Sequence, residues 1–191
     1  LVMIILSPLY LLTAAAIYIE SGSPIIFKQK RAVTKNGKTF WFYKFRSMVE
    51  YADRLKDNLL PLNESNGALF KMKKDPRLTR VGKFIRRFSI DELPQLLNVL
   101  KGDMSLVGPR PLPLSDFDQV DESPELWAAI KDREKLKAGV TGLWQISGRS
   151  HLGFREMILL DSYYADNHSI LLDLEILFET IPVVLMGRGA Y

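Results

Sequence analysis

The chain opens on LVMIILSPLYLLTAAAIYI, Leu1 to Ile19, in which no residue is charged. Such a run is close to the ~20 apolar residues that a membrane-spanning helix requires. Ser7-Pro8 interrupts it. Proline inside a helix removes an amide donor and collides with the preceding turn, so the pattern predicts a helix broken at Ser7-Pro8. The Ser7 hydroxyl is then placed to cover a freed carbonyl. Three arrangements fit: a buried helix, a straight span, and a re-entrant helix that dips into one leaflet and returns. Buried helices are rarely this uniformly apolar, and the break favours the re-entrant form, but a span stays open. Ser21-Gly22-Ser23-Pro24 ends the segment and divides the chain into residues 1–22 and 23–191.

Beyond that point the period changes. PIIFKQKRAV and KTFWFYKFRSM read as two strands around Lys35-Asn36-Gly37-Lys38, a strong hairpin signal. Val49 to Leu60 reads as a charged amphipathic helix, PLNESNG as a loop, and PQLLNVLKG as a helix ending near Gly102. Gly108-Pro109-Arg110-Pro111 is rigid irregular chain. Ser123 to Leu136 is expected to be a surface helix, AGVTGLWQISGRS a glycine-punctuated loop or short strand, and Phe154 to Tyr164 a helix. The tail from Leu171 is apolar enough to lie on a membrane or to pack against the first helix. The expected fold is α/β: a broken membrane helix, then a small mixed domain with interfacial amphipathic helices.

At 191 residues the chain is one domain with an appendage, long enough for a real core. A net charge of +4 is too modest to call for nucleic acid, and none is expected as a partner. The placement of charge says more. Lys28, Lys30, Arg31, Lys35, Lys38, Lys44 and Arg46 follow the apolar run, where they would face anionic headgroups on the cytoplasmic side. Cysteine is absent, which excludes a disulfide framework and a thiolate metal site and suits the cytoplasm. His151 and His168 are too few for an imidazole cluster, so a metal here would be a hard cation held by oxygen.

The densest chemistry lies in FSIDELPQLLNVLKGDMSLVGPRP, Phe88 to Pro111. Ser89-Ile90-Asp91-Glu92 matches a capping box, and Asp91 could itself cap a helix with Pro94 in its first turn. Taken alone, Asp91 and Glu92 are better read as caps than as catalysts. The chemical alternative makes an ionised Asp91 a nucleophile toward phosphorus and gives Glu92 to a Mg²⁺ ion. Any one of Arg86, Arg87 and Arg110 reads as a solvated charge. Together around an acidic pair, with Arg110 stiffened by prolines on both sides, they favour phosphate.

LSP within the opening run, YKFRSM, DPRLTRVGKFIRRFSIDELPQLLNVLKGDMSLVGPRP and GVTGLWQISGRS together resemble the bacterial sugar transferases, the monotopic phosphoglycosyl transferases that start glycan assembly on polyprenyl phosphate. The resemblance runs from Leu6 to Tyr191. It implies a re-entrant helix broken at Ser7-Pro8 and a catalytic domain seated on the cytoplasmic face of the bacterial inner membrane. The implied chemistry transfers a sugar-1-phosphate from a UDP-sugar to polyprenyl phosphate with Mg²⁺ as cofactor, releasing UMP through a covalent aspartyl intermediate. The family's catalytic pair falls on Asp91 and Glu92, and its other polar positions on Lys44, Arg86, Arg110, Arg149 and Asp161. FETIPVVLMGRGAY and the insertion before Ala68-Leu69-Phe70-Lys71 look like the hexose-1-phosphate branch, whose members often carry further N-terminal membrane helices. The charged residues that usually precede the apolar helix are missing, which is consistent with a truncated chain. Ala138 stands where the family usually has proline, which is expected to loosen that loop. A non-catalytic, basic membrane-docking scaffold is the alternative function, and a homo-oligomer is admitted by either.

Overall fold

The computed structural model describes residues 2–64, 70–118, 123–187 and 189. The apolar opening folds as α1 (Val2–Ile5) and α2 (Ser7–Ser21), broken at Leu6. Pro8 falls in the first turn of α2, where a missing N–H leaves no intrahelical bond unmade. The Ser7 hydroxyl donates to the Ile4 carbonyl at 2.7 Å, the role its position predicts. No helix among the described residues is long and apolar enough to cross a membrane.

The chain continues through β1 (Ile26–Ala32), β2 (Phe40–Phe45), α3 (Ala52–Leu59), α4 (Arg80–Arg87) and α5 (Gln95–Leu100). There follow β3 (Ser105–Val107), β4 (Leu112–Pro113), α6 (Leu114–Phe117), α7 (Pro124–Asp132), β5 (Gly139–Thr141), α8 (Leu143–Ser147), α9 (Phe154–Asp166) and α10 (Ile170–Leu185). Strands β1 and β2 form the expected antiparallel hairpin, with Ile26 opposite Phe45. Its connection is longer than a tight Asn-Gly turn: the strands stop at Ala32 and Phe40, and the Gly37 amide bonds back to the Thr34 carbonyl. The far edge of β1 pairs with β4, while β3 and β5 form a separate parallel pair.

AGVTGLWQISGRS is both strand and helix, β5 followed by α8. The segment from Ser123 to Leu136 is the expected surface helix, α7 continued by a 3-10 turn, with Glu125, Ala128 and Lys131 on its exposed face. Leu126, Ala129, Ile130 and Arg133 recur three and four apart and are all buried, the first three against Leu112, Phe117, Phe154, Met157 and Ile158. Ala138 does not loosen its surroundings: it is buried with Phe42 and Met104, and its carbonyl accepts the Ser105 amide at 2.7 Å. The apolar tail forms α10, which packs on α8, β3 and β5 with Ile176 buried beside Val107 and Tyr164. Residues 65–69 of the predicted loop and insertion, with residues 1, 188, 190 and 191, lie outside the described residues.

Helix α2 is fastened to the rest of the molecule along one face. Tyr10, Ala14 and Ile17 pack with Phe45, Val81 and Ile85. The Glu20 carboxylate accepts the Arg80 and Val81 amides at 2.8 and 3.0 Å, which caps α4 and favours its positive end. Arg46 does not face headgroups as its place in the basic run suggests. Its guanidinium donates to the Ser21 and Gly22 carbonyls at 2.5 and 2.6 Å, closing the end of α2. The opposite face of the opening segment, with Ile4, Ile5, Leu11, Leu12 and Ile19, is exposed.

Candidate active site

Asp91 and Glu92 sit on a 3-10 turn, Ile90–Glu92, between α4 and α5. The capping box is not formed. Ser89 adopts a left-handed backbone (φ 54°, ψ 20°) rather than the extended one a cap needs, and its side chain caps nothing. Its hydroxyl instead accepts from Arg149 at 2.7 Å. Helix α5 starts from Pro94 with no side-chain cap, so Asp91 has no capping duty there either. Arg149 is also left-handed, with φ 50°. Two strained, non-glycine residues joined by one hydrogen bond are the kind of feature that structure retains at working sites, at about 1–3 kcal/mol each.

The acidic pair lies in a cleft of about 280 Å³ whose walls include Lys44, Arg86, Arg110 and Arg149. Lys44, from β2, places its ammonium 2.6 Å from Glu92 Oε1 and 3.6 Å from Asp91 Oδ2. Arg110 reaches the same Glu92 oxygen at 3.2 Å. Arg86 donates to the Ser47 hydroxyl at 2.9 Å, which fixes the last turn of α4 against the strand side. The two carboxylates therefore differ. Burial pushes Asp91 up, and the Lys44 charge offsets only part of that while Glu92 adds to it. Burial acts on Glu92 in the same direction, but Lys44 and Arg110 outweigh it and hold Glu92 well below the usual carboxylate range.

Asp161 stands apart from this set. It is 1% exposed and lies behind the cleft, where one oxygen accepts the Arg110 backbone amide at 3.1 Å and pairs with Arg133 at 2.9 Å. Arg133 in turn donates to the Val33 and Arg110 carbonyls. Asp161 thus holds the Gly108–Pro111 segment in place instead of facing a substrate.

A family model described as bacterial sugar transferase matches residues 1–187. The chain belongs to the bacterial sugar transferase family. Over 172 residues it is 48% identical to a Streptococcus agalactiae protein named galactosyl transferase CpsE, covering 90% of this chain and 37% of that one. It is 43% identical over 176 residues to the undecaprenyl-phosphate galactose phosphotransferase of Salmonella typhimurium, covering 90% of this chain and 36% of that one. The exopolysaccharide production protein ExoY of Sinorhizobium fredii is 39% identical over 198 residues, covering 100% of this chain and 83% of that relative. The chain therefore spans little more than a third of two of these sugar transferases and most of the third.

Sequence reasoning missed three walls of this sugar transferase's cleft: Arg31, Asp116 and Trp144. Arg31 was legible in principle. Alternation along β1 turns Lys28 and Lys30 outward and Arg31 inward, where its guanidinium lies 4.1 Å from the centre of the Phe42 ring. Burial, reinforced by the Arg110 charge, pushes Arg31 down to about 9, which leaves it charged at neutral pH. Trp144 presents its ring 5.2 Å from the Arg110 guanidinium, a stacking partner that no spacing rule announces. Asp116 is buried on the short α6.

Among the described residues no group of three or more potential ligating side chains could hold a metal ion. Magnesium does not need one. It commonly takes one or two carboxylates and completes its octahedron with water and substrate phosphates, and Asp91 with Glu92 fits that mode.

Proposed function

We propose that this chain carries the catalytic domain of a phosphoglycosyl transferase that moves a hexose-1-phosphate from a UDP-hexose to polyprenyl phosphate. The observation that carries the reading is the acidic pair enclosed by Lys44, Arg86, Arg110 and Arg149 in one cleft. A scaffold that merely docks on lipid has no use for buried carboxylates among arginines. Names of relatives support the substrates: one is an undecaprenyl-phosphate galactose phosphotransferase, another a UDP-galactose-lipid carrier transferase from Erwinia amylovora. The exposed apolar face of α1 and α2 supports a seat on the inner membrane, re-entering from the cytoplasmic face.

In the first step an Asp91 carboxylate oxygen attacks the sugar-linked phosphorus. The bond from that phosphorus to the bridging oxygen breaks, and UMP leaves with the electron pair. In the second step a phosphate oxygen of the lipid attacks the same phosphorus and Asp91 leaves as a free carboxylate, giving a polyprenyl diphosphate sugar. Lys44 and the arginines neutralise charge on the equatorial oxygens, where most catalysis of phosphoryl transfer resides. Glu92 and Asp91 are the residues that would hold Mg²⁺, which when bound supplies further charge neutralisation at the diphosphate. The test is UMP release. With UDP-galactose and Mg²⁺ alone the protein is expected to release at most one equivalent of UMP, and to release it in turnover amounts only when undecaprenyl phosphate is added. Inorganic phosphate as product, or no product, would reject the transfer reading.

A further inference from the structure

A second cavity, about 640 Å³, lies beside the catalytic cleft and is walled mainly by apolar side chains. Leu6, at the break between α1 and α2, lines it, as do Leu93 and, from α10, Val183 and Leu185. Glu92 and Arg149 line both spaces, so the apolar cavity opens onto the phosphate chemistry. Helix α8 divides the two: Trp144 lines the cleft and Gln145 the cavity.

Gln145 is the anomaly of that wall. The residue is 7% exposed, and among the described residues neither its carboxamide oxygen nor its nitrogen has a hydrogen-bond partner. Burying an unpaired amide costs free energy, and a native fold that keeps one calls for an explanation. The other polar groups nearby are already satisfied: Thr141 and Thr180 hydroxyls meet at 2.7 Å, and Thr180 also bonds the Ile176 carbonyl. Gly142 leaves room for the carboxamide, since a Cβ there would stand 2.9 Å from its oxygen.

We propose that Gln145 is a binding residue for the acceptor: its carboxamide nitrogen donates to a phosphate oxygen of an isoprenoid phosphate whose hydrocarbon occupies the apolar cavity. This rests on the transfer reading for the identity of the acceptor. The isoprenoid is the occupant that the walls select, because the lining is mostly hydrocarbon yet includes a cation, Arg149, and Gln145 with its unpaired amide. The two ligands then meet across α8, the nucleotide sugar on the Trp144 side and the lipid on the Gln145 side, with Arg149 reaching both.

The experiment measures binding of farnesyl phosphate and of farnesol to the full chain in detergent micelles. Gln145→Met keeps the side chain's shape and removes the amide. It is expected to weaken farnesyl phosphate binding about tenfold, the worth of one hydrogen bond to a charged group, and to leave farnesol binding unchanged. Gln145→Glu, which sets a carboxylate against the phosphate, is expected to lose farnesyl phosphate more severely and farnesol not at all. In turnover, the KM for undecaprenyl phosphate is expected to rise and that for UDP-galactose to stay put. Equal loss of both probes would make Gln145 a packing residue, and unchanged farnesyl phosphate binding in either variant would overturn the proposal. If the variants behave as expected but the wild type releases no UMP, the transfer reading fails and the binding assignment stands.

Discussion

At the residue scale the two adjacent carboxylates are opposites, and stability measurements can tell them apart. Asp91 is raised by burial in the folded protein, so folding favours its protonated form. Its contribution to stability is therefore greatest below its ordinary value and falls as pH rises through the raised one. Asp91→Asn is expected to abolish UMP release while leaving the melting temperature at neutral pH unchanged or higher. Glu92 is lowered, so its contribution is present above the ordinary value and is lost only as pH falls toward the depressed one. Its side chain is 14% exposed and pairs with Lys44 and Arg110. Glu92→Gln leaves the buried Lys44 with only the more distant Asp91, and is expected to destabilise by about 3 kcal/mol. Chemical denaturation at pH 7 reads both; a Glu92→Gln protein as stable as the wild type would show that the charge network is not buried in the working molecule.

At the scale of elements, the site depends on how closely α4 approaches the chain after β2. A Cβ on Gly82 would stand 1.9 Å from the Ser47 carbonyl oxygen, and Ser47 also supplies the hydroxyl that receives Arg86. Gly82→Ala is expected to push α4 outward, cost about 1–3 kcal/mol in stability and reduce activity through Arg86. A thermal melt beside a UMP-release assay checks this, and an unchanged melt would mean that α4 relaxes at no cost. Local features of this kind explain what was legible beforehand. The Ser7-Pro8 break, the β1–β2 hairpin and the Gly102 helix end are encoded within a few residues of themselves. The capping box at Ser89 was misread because Ser89 is left-handed and its hydroxyl is engaged by Arg149, sixty residues on, a contact no local pattern contains. The same holds for Arg133, just past the end of α7, a buried cation satisfied by Asp161 and two distant carbonyls. Of the cations read around the acidic pair, Arg86 and Arg110 line the cleft while Arg87 is exposed and does not; Lys44 and Arg149, which the resemblance supplied, line it too.

At the scale of the whole molecule, two spaces with different chemistry meet at Glu92 and Arg149. The polar cleft suits a diphosphate, and the apolar cavity, built partly from α2 and α10, suits hydrocarbon. The opening helix therefore has two duties. One face joins the core through Ile17, and the other is exposed, where the proposed membrane seat would use it. The carboxylate that the two spaces share, Glu92, is the neighbour of the proposed nucleophile Asp91, so the most direct measurement is the intact mass of the protein after incubation with UDP-galactose and Mg²⁺ without any lipid. The expected result is a gain of one hexose phosphate on the wild type, discharged by added undecaprenyl phosphate, and no gain on Asp91→Asn. A full adduct on the Asp91→Asn protein would contradict the assignment of the nucleophile.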